Sequence, residues 1–298
     1  MNLKKRGFHL LALLLFLPIG IAIGVLGGFF GLGGGILLTP VLLLLGISPV
    51  EAITTGLLFS IGTSISSVWG HLKLNNIIWK AAIPIGLSGI VGTQLARPLV
   101  MYFEKIGIGD TVLSTLYLVI LLYFAISMIR PGKKNEGRLN KEDTFSMPLL
   151  IIVGLVGGFL SSSLGVGGGF IIVPLLVSLA NFPAKQAVGT SAVCIFLFVT
   201  AGFSSYIMHV EIDLLLGLFL IIGALIGGQL GAKTTSHFAN QEMRKMLGVL
   251  YAVTWFSLLL KLFNLEVVGF VILASYTTYL LALFTIRTLK AKKMLEEN

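Results

Sequence analysis

Two glycine clusters carry the most pointed chemistry in the sequence. Gly31, Gly33, Gly34 and Gly35 stand in GLGGG, and Gly165, Gly167, Gly168 and Gly169 in GVGGG; each cluster runs straight into an apolar stretch. Glycine tolerates positive φ and lets a second backbone or a ligand come close. The first turn of a following helix offers unpaired N–H groups and about half a positive charge. A glycine loop feeding a helix N-terminus can therefore hold a small anion with no cationic side chain. The competing reading is close helix packing, as in small-xxx-small seams.

Small polar residues gather near both clusters. Thr54 and Thr55 lie beyond the first, Thr190 and Ser191 beyond the second, and Ser161, Ser162 and Ser163 just before the second. Ser60, Thr63, Ser64, Ser66 and Ser67 extend a polar face after Thr55. Gln94 and Gln229 sit deep in apolar segments, where an amide needs a partner, either another helix or a substrate. Together with the eight glycines, the residues Thr54, Thr55, Gln94, Ser161, Ser162, Ser163, Thr190, Ser191 and Gln229 form the candidate substrate-binding set. Pro40 and Pro174 follow the glycines at equal spacing and are expected as structural kinks.

The equal spacing belongs to an internal repeat. Gly24, Gly31 and Pro40 match Gly158, Gly165 and Pro174 at one offset. One residue further out of phase, AITT at 52–55 matches AVGT at 187–190, and GTQL at 92–95 matches GGQL at 227–230.

Composition says what must position these residues. The chain has 298 residues, 56% hydrophobic and 11% charged, against about 25% charged in soluble domains. Residues 7–50 and 144–184 contain no Lys, Arg, Asp or Glu. Charge concentrates in Met1–Gly7, Arg130–Asp143 and Arg287–Asn298. A soluble enzyme, a disordered chain and a disulfide-stapled domain are excluded, which leaves a polytopic membrane protein. The net charge of +9 is spread over loops between spans, as the positive-inside rule requires, and is no nucleic-acid footprint.

Eleven apolar segments follow: 9–30, 34–46, 51–70, 80–99, 111–130, 148–166, 168–180, 187–208, 213–233, 246–264 and 267–286. The first, after Lys4-Lys5-Arg6, is too long for a signal-peptide core and is expected as a membrane helix. Segments 34–46 and 168–180 are only about 20 Å long as helices, against a hydrocarbon core of about 30 Å. Neither can cross alone, so each glycine loop is expected inside the membrane. The expected fold is an all-α polytopic membrane protein. It has two homologous, inverted, five-segment repeats with a short broken helix in each, plus a C-terminal helix. The divisions are 1–130 for the first repeat, 131–147 for a charged cytoplasmic loop, 148–264 for the second repeat, and 265–298 for the extra helix and basic tail. That sidedness puts Lys185, Lys233, Arg244 and Lys245 inside and Glu51, Glu211 and Asp213 outside, with the basic N-terminus as its one clear violation. Paired broken segments in two inverted halves are the sequence mark of a transporter's central site.

Other chemistries find no support. There is no GxxxxGK[ST], GxGxxG, HExxH, GxSxG or TVGYG, and Cys194 is a lone cysteine in an apolar run. His71 and His209 at segment ends leave a proton relay open. No catalytic residue, metal site or cofactor is expected.

The motifs GLGGGILLTP at 31–40 and GVGGGFIIVP at 165–174, with AITTG and AVGTS behind them, resemble the sulfite exporter TauE/SafE family of membrane permeases. The resemblance covers about residues 15–265. It implies a multi-pass permease of the cytoplasmic membrane that moves small sulfur-containing anions, such as sulfite or organosulfur compounds, by alternating access. It also supports interest in the eight glycines and in Pro40 and Pro174. The partners it implies are a small anionic substrate, the lipid bilayer and a coupling ion, proton or sodium, with no nucleic acid; a homo-oligomer is left open. The alternatives are a non-transporting membrane assembly or insertion factor, or an anion channel.

Overall fold

The computed structural model describes residues 3–44, 47–130, 145–210 and 214–296. Most of the charged loop 131–147, and the sidedness markers Glu211 and Asp213, lie outside the described residues. The described residues form eleven α-helices and one 3₁₀ turn, with no strand among them. In chain order the helices are α1 (Leu3–Phe30), α2 (Gly35–Leu44), α3 (Pro49–Lys73), α4 (Trp79–Lys105), α5 (Gly109–Ile129) and α6 (Met147–Leu164). They continue with α7 (Gly169–Ser178), α8 (Ala184–Tyr206), α9 (Leu214–Thr234), α10 (Asn240–Lys261) and α11 (Glu266–Glu296).

Seven of the described helices are long and apolar enough to cross a membrane. Helix α4 carries Lys80, Arg97, Glu104 and Lys105, yet Ile83, Leu87, Val91 and Leu95 expose an apolar stripe at i, i+4, as a lipid-facing helix does. Helices α2 and α7 have only 10 residues each, about 15 Å. Local chemistry sets several ends. Ser48 Oγ accepts the Glu51 amide, Pro49 opens α3 and the Glu51 carboxylate sits in its positive first turn. Asn75, Asn181 and Asn264 take positive φ just past α3, α7 and α10, the left-handed turn that stops a helix. Pro40 and Pro174 lie inside the two short helices.

Small residues let helices pack backbone to backbone. Gly20, Gly24 and Gly28 of α1 meet Gly223, Ala224 and Gly228 of α9 in rising order, so the two helices run parallel. Gly89 and Gly158 pack α4 onto α6 in the same way, with Gly154 against Ile85. The contacts match across the repeat. A Cβ at Gly92 would overlap the Leu155 carbonyl, and one at Gly227 would overlap the Ile21 carbonyl. Helix α3 runs parallel to α9 (Gly62 to Ala224, Gly70 to Ala232), and α8 runs parallel to α4 (Gly86 to Leu197, Gly89 to Phe198). Helices α3 and α8 are antiparallel, because Leu57 meets Gly202 while Asn76 meets Gly189. Corresponding helices of the two halves therefore run in opposite directions. Two bundles result, α1–α3–α9 and α4–α6–α8, each drawn from both halves.

Helix α2 runs back along α3: Gly34 lies by Phe59 and Thr63, and Thr39 by Gly56. Helices α1 and α2 thus form a hairpin, with the glycine loop at its tip beside the middle of α3. Gly168 similarly folds back onto Gly157 and Ser161 of α6. A hairpin and two crossings leave the chain on the same side of the membrane, so the expected order of sides is unaffected.

Candidate functional site

Each loop bends with three left-handed glycines in the same places. The φ angles are 64°, 75° and 71° at Gly31, Gly33 and Gly34, and 69°, 79° and 79° at Gly165, Gly167 and Gly168. The remaining glycine of each cluster permits contact with the other loop. A Cβ at Gly35 would lie 2.5 Å from the Gly165 carbonyl oxygen, and one at Gly169 would overlap the Gly31 carbonyl oxygen. In the centre, a Cβ on Gly33 would stand 3.4 Å from the Gly167 Cα. The loops cross back to back, and α2 and α7 leave the crossing in opposite directions with their N-terminal turns facing it. Residues 26–40 and 161–174 are all buried.

Hydroxyls hold the loop carbonyls in place. Thr39 donates to Gly165 O (3.0 Å) and Ser191 to Gly31 O (3.1 Å), each across the repeat. Thr63 donates to Gly33 O (2.6 Å), Tyr117 to Leu164 O (2.7 Å) and Tyr251 to Phe170 O (2.8 Å). Just upstream of the loops the arrangement repeats with different chemistry. Asn76 Nδ2 donates to His71 Nδ1 (3.2 Å), leaving His71 Nε2 to donate to Gly28 O (3.3 Å). At the matching place Tyr206 donates to Ser162 O (3.1 Å).

Two buried hydroxyls in this region, Ser60 and Ser161, have no partner, and the Ser162 hydroxyl has only the Tyr206 hydroxyl beside it. Leaving such a group unmet costs about 1–3 kcal/mol. The Ser60 Oγ lies at the crossing itself, 2.9 Å from the Cβ position of Gly35, 3.1 Å from that of Gly167 and 3.5 Å from that of Gly33. The Ser161 Cβ is 3.0 Å from the Cβ position of Gly168.

The other expected residues are placed as follows. Ser191 reaches the crossing, and the eight glycines form it. Thr54 donates to Val50 O in its own helix (2.7 Å), and Thr55 is half-buried. Thr190 accepts the Ile78 amide at 3.0 Å. Ser163 donates to Phe159 O (2.8 Å) and lines a small cavity of about 50 Å³ with Pro49 and Leu113. Gln94 is exposed on the α4–α8 seam, where it accepts from Ser205 (2.8 Å) and donates to Ala201 O (3.3 Å). Gln229 lines a crevice of about 560 Å³ with Ser66, Trp69 and Trp79. The structure therefore separates the two glutamines from the loops and draws in Ser60, which the sequence places only on a polar face. Its signal was its place in mid-helix, one turn before Ser64 and level with the centre of α3.

A family model described as sulfite exporter TauE/SafE matches residues 16–258. This chain belongs to the TauE/SafE family. The match runs from α1 into α10 and takes in both glycine loops; α11 lies beyond it. Among similar proteins, one from Methanocaldococcus jannaschii named "Probable membrane transporter protein" is 32% identical over 279 residues, 87% of this chain and 100% of its own. A Bacillus subtilis protein of the same description is 29% identical, covering 74% of this chain and 88% of its own. One from Haemophilus influenzae is 28% identical, covering 84% and 98%. No solved structure matches. The TauE/SafE assignment and the apolar helices make this a multi-pass membrane protein of a transporter family.

Proposed function

We propose that this protein is a secondary permease for small anions, with sulfite or organosulfur anions as its substrate class, working by alternating access across the cytoplasmic membrane. One observation carries the reading. Two helix N-termini from inverted halves meet at a buried glycine crossing that also holds unpartnered hydroxyls. Aligned backbone dipoles and N–H groups attract an anion there, and neither loop carries a carboxylate. The moving bodies in this reading are the mixed bundles α1–α3–α9 and α4–α6–α8, in which glycine seams bind α1 to α9 and α4 to α6 backbone to backbone. The loops are in contact as described, so an anion enters when the bundles part.

The test is reconstitution in liposomes with sulfite, sulfonate and carboxylate anions, with and without a pH or sodium gradient. Gly34→Leu and Gly168→Leu are expected to reduce transport more than tenfold while leaving membrane insertion intact. Undiminished flux in both variants would sink the site. Flux at channel rates would replace the permease reading with a conducting pore.

A further inference from the structure

The two halves place different side chains at one structurally equivalent point. Ser60 of α3 and Ile195 of α8 both flank the central pair Gly33 and Gly167. The Ser60 Oγ lies 3.5 and 3.1 Å from the two Cβ positions, and the Ile195 Cγ2 lies 3.0 and 3.1 Å from them. Counting along the repeat, Thr55 corresponds to Thr190 and Ser60 to Ile195. Both side chains are fully buried, at 0% and 1% exposure. The Ser60 hydroxyl has no partner, and Ile195 has none to offer. The crossing is thus symmetric in backbone and one-sided in hydrogen bonding.

We propose that Ser60 and Ile195 set the selectivity of the anion site. Ser60 donates to the oxygen-bearing face of the bound anion, and Ile195 excludes oxygen from the opposite face. This rests on the glycine crossing being the binding site. The site then favours an anion with one oxygen-free apex: the lone pair of sulfite, or the carbon of an alkyl sulfonate. It rejects four-oxygen tetrahedra such as sulfate and phosphate. An oxygen turned toward the Ile195 methyl groups would lose its water and gain no donor, the kind of unmet polar contact by which sites discriminate most strongly. Charge alone cannot make this distinction, because helix dipoles attract sulfate as readily as sulfite.

The experiment is calorimetric titration of the purified full chain in detergent with sodium sulfite, sodium methanesulfonate and sodium sulfate. The wild type is expected to prefer the first two over sulfate. Ser60→Ala should weaken sulfite about tenfold, the worth of one hydrogen bond to a charged group. Ile195→Thr loses one carbon and adds a hydroxyl, and should narrow the sulfite-to-sulfate ratio about tenfold by the same exchange. Ile195→Val removes a methyl group without adding a donor and should leave the ratio unchanged. The proposal is overturned if Ser60→Ala binds sulfite within about twofold of the wild type, or if Ile195→Thr and Ile195→Val give the same ratio. Sulfite binding that survives Gly168→Leu unchanged defeats the underlying site reading, whatever Ser60 does. A wild type that binds none of the three anions defeats both.

Discussion

The two glycine loops differ far less from each other than their surroundings do. Both use three left-handed glycines and a fourth that admits the other loop's carbonyl. Around them the chemistry diverges. His71 supports the carbonyl three residues before the first loop, and Tyr206 does so before the second. Gly27 and Gly28 precede one loop, where Ser161 and Ser162 precede the other. Ser60 faces Ile195 across the crossing. The backbone solution admits almost no substitution, because a Cβ at Gly35 or Gly169 strikes a carbonyl and the other six glycines take positive φ. The side chains need only deliver a donor to a carbonyl, and several residue types can. The divergence therefore falls on residues around the crossing, and the constancy on the glycines that form it.

The sharpest way to break the comparison is to add one methyl group to each loop. Gly169→Ala drives a Cβ into the Gly31 carbonyl and the Ile195 side chain; Gly35→Ala meets the Gly165 carbonyl at 2.5 Å. Overpacking against backbone should destabilise each by about 3 kcal/mol, the upper end for a core, with Gly169→Ala the worse. Thermal unfolding in detergent reads this directly. Two variants that melt with the wild type would mean that the loops do not rest on each other. Gly107 supplies the control: it too has positive φ (75°), but nothing lies within 4 Å of its Cβ position. Gly107→Ala should lose only the left-handed penalty of about 1–2 kcal/mol.

The carbonyl supports come next. His71→Ala removes two hydrogen bonds and a fully buried ring, so a loss of about 3 kcal/mol is expected from the cavity and the stranded Gly28 carbonyl. Tyr206→Phe keeps the ring and strands only the Ser162 carbonyl, a loss of about 1 kcal/mol. A Tyr206→Phe variant hurt as much as His71→Ala would show that the Ser162 side chain beside the same hydroxyl depends on it as well, and that the two halves are less alike than their backbones.

Much of this was legible in the sequence, for a physical reason. Positive φ and carbonyl contact both demand glycine, so GLGGG and GVGGG announce their own geometry, and a helix too short to cross announces a hairpin. Eleven apolar segments were expected and eleven helices are described. Gln94 and Gln229 were harder. An amide in an apolar segment needs a partner, but sequence cannot say which; Gln94 finds Ser205 and Ala201 on α8. Ser60 was hidden by the repeat itself. Ranking residues by recurrence favours Thr55 and Thr190, and it passes over a serine whose counterpart is isoleucine. Which helices pair across the halves was also out of reach, because Gly92 against Leu155 is a contact of three dimensions, not of spacing.

The smallest effect offers the finest comparison. Thr39 and Ser191 make the reciprocal bonds that tie each loop to the other half, at 3.0 and 3.1 Å. They are not equal. Ser191 also lies 2.8 Å from the Val188 carbonyl of its own helix, so its proton is shared. Thr39 gives its proton to the cross-half bond with Gly165, and its side chain also meets the Tyr117 hydroxyl. Thr39→Val keeps the shape and leaves the Gly165 carbonyl unmet, which should lose about 1 kcal/mol. Ser191→Ala gives up a divided bond and should lose about half as much, near 0.5 kcal/mol. The double variant tests whether the loops move as one body. Losses that simply add mean two independent clamps. A double loss smaller than the sum means that releasing one loop already releases the other. Coupling of that kind is expected of the proposed site, in which the two N-termini would face one anion together.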